Sequence, residues 1–149
     1  MTTSGKAGLY RALIEDLADA IIFTDRDGLI RVWNSGAEAV FGHRADEIIG
    51  KSLDVLIRDR LRAAHWAGFD TAIETGQLKH MRQSMTTRSI HKDGSDLYID
   101  MSFALVRDDR GLVLGAVAVA RDVTDRVKAE RDARKRLAEL EARVNSIAG

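Results

Sequence analysis

The stretch Ala20–Asn34, AIIFTDRDGLIRVWN, decides the architecture. Two apolar segments, Ala20–Asp25 and Leu29–Asn34, flank Arg26-Asp27-Gly28, and an Asp-Gly pair supplies the left-handed backbone that a tight hairpin turn needs. The sheet therefore opens with an antiparallel hairpin. Upstream of it, Leu9, Leu13, Leu17 and Ala20, with Ile14 and Ala18 beside them, recur at helical spacing, so residues 8–19 are expected to form an amphipathic helix that covers the core.

Downstream, Ser35 is placed to cap a short helix from Gly36 to Phe41 that Gly42 stops, and Arg44–Ile49 gives another helical turn stopped by Gly50. Leu53–Glu74 carries Leu56, Ile57, Leu61, Ala64, His65, Phe69, Ala72 and Ile73 at steps of three and four, the pattern of a long helix ending at Gly76. Three strands follow, at 78–90, 96–106 and 112–121, separated by the turns Lys92-Asp93-Gly94 and Asp108-Asp109-Arg110-Gly111. The expected class is α+β, a five-stranded antiparallel sheet with its helices on one face. Asp122 stands at the junction with a final helix, where its carboxylate can accept from the N–H of Thr124 or Asp125. Beyond it neither Gly nor Pro occurs before Gly149. Val123, Ala133, Leu137, Leu140, Val144 and Ile147 fall on the a and d positions of a heptad, with Arg126 and Glu130 as polar exceptions, which predicts a parallel homodimer through this helix. The chain thus divides into an N-terminal cap helix (1–19), a core (20–122) and a C-terminal dimerisation helix (123–149).

Composition narrows the function. Of the 149 residues, 45% are hydrophobic, and 23 basic side chains balance 23 acidic ones, so no polyelectrolyte partner is implied. The cluster Arg131, Arg134, Lys135 and Arg136 is interleaved with Glu130, Asp132 and Glu139, as on a solvated helix face rather than a nucleic-acid surface. Cysteine is absent, which excludes disulfides, a thiolate nucleophile and thiolate metal ligands and suits a reducing cytoplasm. No apolar run has the length of a membrane span or a secretory signal. No nucleophile elbow, phosphate-binding glycine loop or metal-spaced cluster is visible, and the expectation is that the chain is not an enzyme.

An ordered set of motifs, Ile21-Ile22-Phe23-Thr24-Asp25 with Asp27-Gly28, Val32-Trp33-Asn34 with Ala37 and Phe41-Gly42, Glu47-Ile-Ile-Gly50, Lys92-Asp93-Gly94 and Arg121-Asp122-Val123-Thr124, resembles a PAS domain over residues 8–125 followed by a signalling helix. Related domains bind haem, flavins or small acids, or simply dimerise, so the resemblance implies a sensor without naming its signal. Flavin-cysteinyl photochemistry is not expected, because the chain has no cysteine.

The stretch Arg60-Leu-Arg-Ala-Ala-His65-Trp-Ala-Gly-Phe69 is similar to the haem-binding PAS sensors of the FixL and direct-oxygen-sensor type. That resemblance implies haem b with His65 as axial ligand, and helix periodicity points the imidazole inward. Residue by residue it also implies Gln83 and Met85 on the distal strand, Met101 and Phe103 completing the lid, and Lys79 as a propionate partner. Met85 stands where FixL has the arginine that holds oxygen. A thioether at iron raises the potential and fills the sixth position, which favours redox or carbon monoxide sensing. The plainer alternative for His65 is a core histidine satisfying a backbone carbonyl. His43, His80 and His91 read as surface residues, Met81 as core filler, and Trp66 as a helix-edge or dimer contact. Small residues at Ala64, Gly68 and Ala72 favour a ligand slot over a cofactor-free interaction module. With no kinase, cyclase or DNA-binding segment after the tail, the chain is either a piece of a larger receptor or a regulator acting on a partner such as a histidine kinase.

Overall fold

The computed structural model describes residues 2–79 and 83–149; His80 and Met81 lie outside the described residues. Helix α1 (Thr3–Glu15) leads into strands β1 (Ala20–Asp25) and β2 (Ile30–Trp33). Helices α2 (Ser35–Phe41) and α3 (Ala45–Ile48), a 3₁₀ turn at Leu53–Leu56 and helix α4 (Asp59–Thr75) make the connection to the second half. Strands β3 (Met85–Ile90), β4 (Asp96–Arg107) and β5 (Val113–Asp122) and the terminal helix α5 (Thr124–Ala148) complete the chain. The five strands form one sheet in the order β2-β1-β5-β4-β3, antiparallel throughout. The last strand therefore sits at the centre, against the first. At one end of that pairing Ala20 faces Ala120, and at the other Asp25 faces Gly115. Gly115 allows the close approach, since a Cβ there would lie 2.0 Å from the Thr24 carbonyl oxygen.

The opening hairpin is organised by one side chain. The Asp25 carboxylate accepts from the N–H groups of Asp27 (2.9 Å) and Leu29 (3.1 Å) and pairs with Arg31 (2.7 Å), closing the turn that Gly28 completes. A second polar organiser follows at the end of β2. Asn34 is fully buried, and its Oδ1 accepts from Ile21 N (2.8 Å) and Ala37 N (2.9 Å) while its Nδ2 donates to the carbonyls of Ile14 (2.8 Å) and Asp19 (3.0 Å). Asn34, not Ser35, thus caps α2; the Ser35 hydroxyl instead donates to the Glu15 carbonyl.

The expected helix over 53–74 is broken in two. Ser52 caps the 3₁₀ turn, Arg58 turns extended, and the Ser89 hydroxyl of β3 donates to the Leu56 carbonyl (2.8 Å), so that carbonyl serves the sheet rather than a continuous helix. The core lies between the sheet and these connecting helices: Ala20, Ile22, Ile30, Trp33, Ala37, Phe41, Ile48, Leu56, Leu97, Ile99 and Ala120.

Two expectations about the ends change. Helix α1 stops four residues short of residue 19 and buries none of its residues, so it does not cap the core. Leu9, Tyr10, Leu13, Ile14 and Leu17 are all exposed. In α5 the exposed seam is Leu137, Leu140, Val144 and Ile147, whereas Val123 precedes the helix and is buried. Arg126 reaches Asp100 on β4 (3.2 Å) and Glu130 along its own helix (3.8 Å), which explains two polar side chains at heptad core positions: the first turns of α5 belong to the sheet.

Candidate functional site

Helix α4 is held at both ends of β4. Before its first turn, the Arg58 guanidinium pairs with Asp96 (2.6 Å) and donates to the Gly94 carbonyl (3.2 Å); after its last, the Gly76 carbonyl accepts from Arg107. The helix thus runs along the strand on the side of the core. Only Ala72 and Ile73, near its C-terminal end, are buried. Leu61, His65, Trp66 and Phe69 remain half-buried, and Ala64 and Gly68 face solvent, so of the three small residues expected to open a slot on this helix only Ala72 is on the buried side.

The facing surface of the sheet is where side-chain volume is missing. Strand register aligns Met85, Met101, Ala120 and Ala20 in one row, then Phe103, Ala118 and Ile22, then Leu105, Ala116 and Thr24. The central strand contributes only alanines to these rows. Met101, Phe103, Ala116 and Ala118 keep part of their surface exposed although they stand at or next to the middle of the sheet. The alternation Ala116-Val117-Ala118-Val119-Ala120 signals this in the sequence, since every second residue of a strand shares a face.

His65 lies on α4, which carries it on the same side as Trp66 and Phe69. Its ring stacks on Phe69 (centroids 6.4 Å, 19°) and meets the edge of Trp66 (4.7 Å, 82°). Its Nδ1 is enclosed and, among the described residues, has no hydrogen-bond partner. Trp66 is neither at the helix edge nor free: Nε1 donates to Asp54 (2.6 Å), and its ring lies over the β1–β2 turn, where a Cβ on Gly28 would come within 2.4 Å of it. The 3₁₀ turn, the hairpin and α4 thereby fix the ring beside His65. Burial holds the His65 imidazole below its usual pKa, against the smaller opposing pull of the Asp54 charge.

That shift has a pH consequence. The unfolded chain takes up a proton near pH 6.5 that folded His65 resists, so stability is full above about 6.5 and falls as pH drops through that value toward the depressed folded pKa. In urea titrations from pH 7.5 to 5, His65→Gln is expected to lose less stability than the wild type; parallel losses would assign the pH dependence to other groups.

The other expected ligands are distributed as follows. Met85 is the cross-strand partner of Met101, and with Phe103 these share the inner face, but Met85 is 39% exposed. Gln83 and Lys79 are exposed, and β3 begins only at Met85, so Gln83 stands ahead of the strand on which it was expected. His43 and His91 are half-buried rather than surface residues; His91 Nδ1 accepts from Asp93 N (3.1 Å) inside the hairpin turn, and burial lowers the His43 pKa.

A separate set of contacts joins the sheet to α5. The Asp122 carboxylate accepts from Thr124 N (2.9 Å), as its position in the sequence suggests, and the Thr124 hydroxyl oxygen accepts from Tyr98 N (3.0 Å). Arg131, two turns into α5, lies over the Tyr98 ring (4.8 Å), with Arg88 of β3 nearby (5.4 Å). The Asp100 carboxyl is held below its usual pKa by the Thr86 hydroxyl and by Arg126. Tyr98 and Arg131 are far apart in sequence, and only the register of β4 against β5 brings them together.

Comparison with known proteins agrees with this architecture. The PAS fold family model matches residues 8–123. Two-component system protein A of Emericella nidulans is 31% identical over 124 residues, covering 81% of this chain and 17% of that protein. The sensor protein kinase WalK of Staphylococcus aureus is 28% identical over 130 residues, 87% of this chain and 19% of the kinase. The crystal structure of a PAS domain from Colwellia psychrerythraea superposes with a TM-score of 0.70 at 23% identity, covering 80% of this chain and 98% of that one. The chain spans less than a fifth of the length of these curated relatives. Among the described residues no helix is long and apolar enough to cross a membrane. On the family match over most of its length and the five-stranded sheet with its connecting helices, the chain belongs to the PAS family of sensory domains.

Proposed function

We propose that this PAS domain is a haem-binding sensor that receives a redox or diatomic-gas signal between α4 and the sheet and passes it to a dimer of α5 helices. It receives and relays, in a cytoplasmic setting, and does not catalyse. The observation that carries the reading is the pairing of a half-buried His65, whose enclosed Nδ1 has no partner among the described residues, and a sheet surface floored by Ala116 and Ala118. An axial imidazole must be neutral, which burial favours here, and a flat macrocycle needs an apolar slot from which side-chain bulk has been removed. Haem would supply the redox-active, gas-binding iron. His65 would hold it from the helix side, Met85 or Met101 would offer a thioether from the sheet, Phe103 would pack against the ring, and the exposed ammonium of Lys79 would meet a propionate.

The path outward runs through the sheet. Met101 shares β4 with Tyr98 and Asp100, which hold Thr124, Arg126 and Arg131 of the output helix. A shift of β4 against β5 therefore reorients α5. The exposed seam from Leu137 to Ile147 fits a parallel homodimer, and the kinase and two-component relatives support a histidine kinase or a similar output partner.

Titration with hemin, followed by absorption spectra in both redox states, tests the assignment. The wild type is expected to give a Soret band that His65→Ala loses, and Met85→Leu is expected to alter the six-coordinate spectrum while retaining the band. A band unchanged in His65→Ala removes the axial assignment. No band in the wild type removes haem and leaves the cofactor-free interaction module.

A further inference from the structure

Methionine is the only sulfur residue of this chain, which has no cysteine. Without thiols to react first, two-electron oxidants fall on the exposed thioethers. Two methionines stand side by side on the sheet: Met85 opens β3 and is the cross-strand partner of Met101 on β4. Met101 is half-buried and packs against the core, whereas Met85 is 39% exposed. The difference follows from position. Strand β3 is an edge of the sheet, and its ladder with β4 ends at this pair, because Gln83 and Ser84 lie outside the strand. An end rung has a neighbour on one side only, so it opens at the least loss of sheet.

The next rungs lead to the output helix. Thr86 faces Asp100, and its hydroxyl donates to that carboxylate (2.5 Å), which through its other oxygen accepts from Arg126 of α5 (3.2 Å). Two residues further on, Arg88 faces Tyr98 and shares its ring with Arg131 of α5. Side chains alternate along a strand, so Met85 is on the inner face while Thr86 and Arg88 are on the outer one. Strand β3 therefore holds a thioether on one side and two links to α5, by way of β4, on the other.

We propose that Met85 is an oxidant-sensing site: hydrogen peroxide converts its thioether to the sulfoxide, and the altered end of β3 loosens the first two turns of α5. A sulfur lone pair attacks one peroxide oxygen, the S–O bond forms and the O–O bond breaks. Sulfur gives up two electrons to the peroxide, and the departing hydroxide takes the proton of the transferred hydroxyl and leaves as water. The sulfoxide oxygen is a strong acceptor, and Met101 and Ala120 in its row and Phe103 in the next have no side-chain donor to offer it. The modified side chain turns outward to water and the end rung opens with it. This trigger needs no haem, although it rests on the same relay from β4 to α5 as the proposed function.

Peroxide treatment of the full chain without added hemin tests this. Trypsin places Met85, between Arg82 and Arg88, and Met101, between Lys92 and Arg107, on separate peptides for mass spectrometry. Met85 is expected to gain one oxygen several-fold faster than Met101. Amide hydrogen exchange over residues 124–131 is then expected to rise several-fold, with β1 and β5 unchanged. Met85→Gln, polar and of similar length, should show the faster exchange without peroxide, and Met85→Leu should show no rise after it. Methionine sulfoxide reductases with dithiothreitol should return the exchange of α5 to its starting rate. Met101 oxidised as fast as Met85, exchange in α5 unchanged once Met85 carries its oxygen, or an equal rise in Met85→Leu would each overturn the proposal. Hemin titration of untreated protein is read separately, so a missing Soret band leaves the peroxide result standing.

Discussion

Asn34→Ala is expected to lower the free energy of unfolding by about 3–5 kcal/mol, read as a large fall in the urea midpoint at pH 7. The side chain is fully buried and makes four hydrogen bonds to backbone groups drawn from three places: the end of α1, the start of β1 and the first turn of α2. Alanine leaves all four groups without their partner. The N–H groups of Ile21 and Ala37 sit in buried bonds that water cannot replace, so they carry most of the loss. The carbonyls of Ile14 and Asp19 are in partly buried bonds, and solvent recovers some of theirs. Asn34→Asp makes the sharper control. It keeps the accepting oxygen but turns both donors into acceptors facing carbonyls, and it buries a charge, so near-isosteric shape is no protection. An aspartate variant as stable as the wild type would show that the amide's two donated bonds contribute nothing.

The second large effect is expected at the other end of the same helix. Phe41 has no exposed surface, closes α2 and packs its ring against Trp33 at 5.5 Å between centroids. Phe41→Ala removes that contact and leaves a cavity among Ile30, Ile48 and Ile99, side chains anchored in a sheet and a helix that cannot collapse into the space. A loss of about 3–5 kcal/mol is expected. Phe41→Leu, which refills most of the volume, should cost about 1.5 kcal/mol or less. Equal losses for the two substitutions would point to the ring's interaction with Trp33, rather than the cavity, as the source.

How much of this was readable beforehand follows the range of the forces. The hairpin at Ala20–Asn34 was legible because Asp27 and Gly28 encode their turn locally, and alternating apolar residues encode the strands around it. The sheet and the helical tail were legible for the same reason. Asn34 was recognisable as part of a motif, but not as a four-bond junction, since its partners lie up to twenty residues away. The single helix expected over 53–74 failed because its apolar periodicity continues through a break that Ser52 and Ser89 impose from outside the helix. Helix α1 has an amphipathic pattern that states a need for cover without saying which surface provides it. At the candidate site the helix position of His65 was legible and its enclosure with Trp66 and Asp54 was not. The alanines of β5 were in plain view, but they lack distinctive chemistry and matter only through the space they leave.

The pairing of the first strand with the last has a consequence for how such a unit can be carried in a longer polypeptide. Ala20 and Ala120 are cross-strand neighbours, about 5 Å apart at most spacings of an antiparallel ladder. The backbone leaves the sheet within a residue's width of where it came in. A hundred residues can thus be spliced between two helices as a side loop, with little change in the distance between what comes before and what comes after. For a module found as less than a fifth of otherwise diverse relatives, that geometry makes duplication and transplantation cheap: the host chain needs no new spacer, and a twist arriving through one helix is handed to the next at the doorway instead of crossing the room.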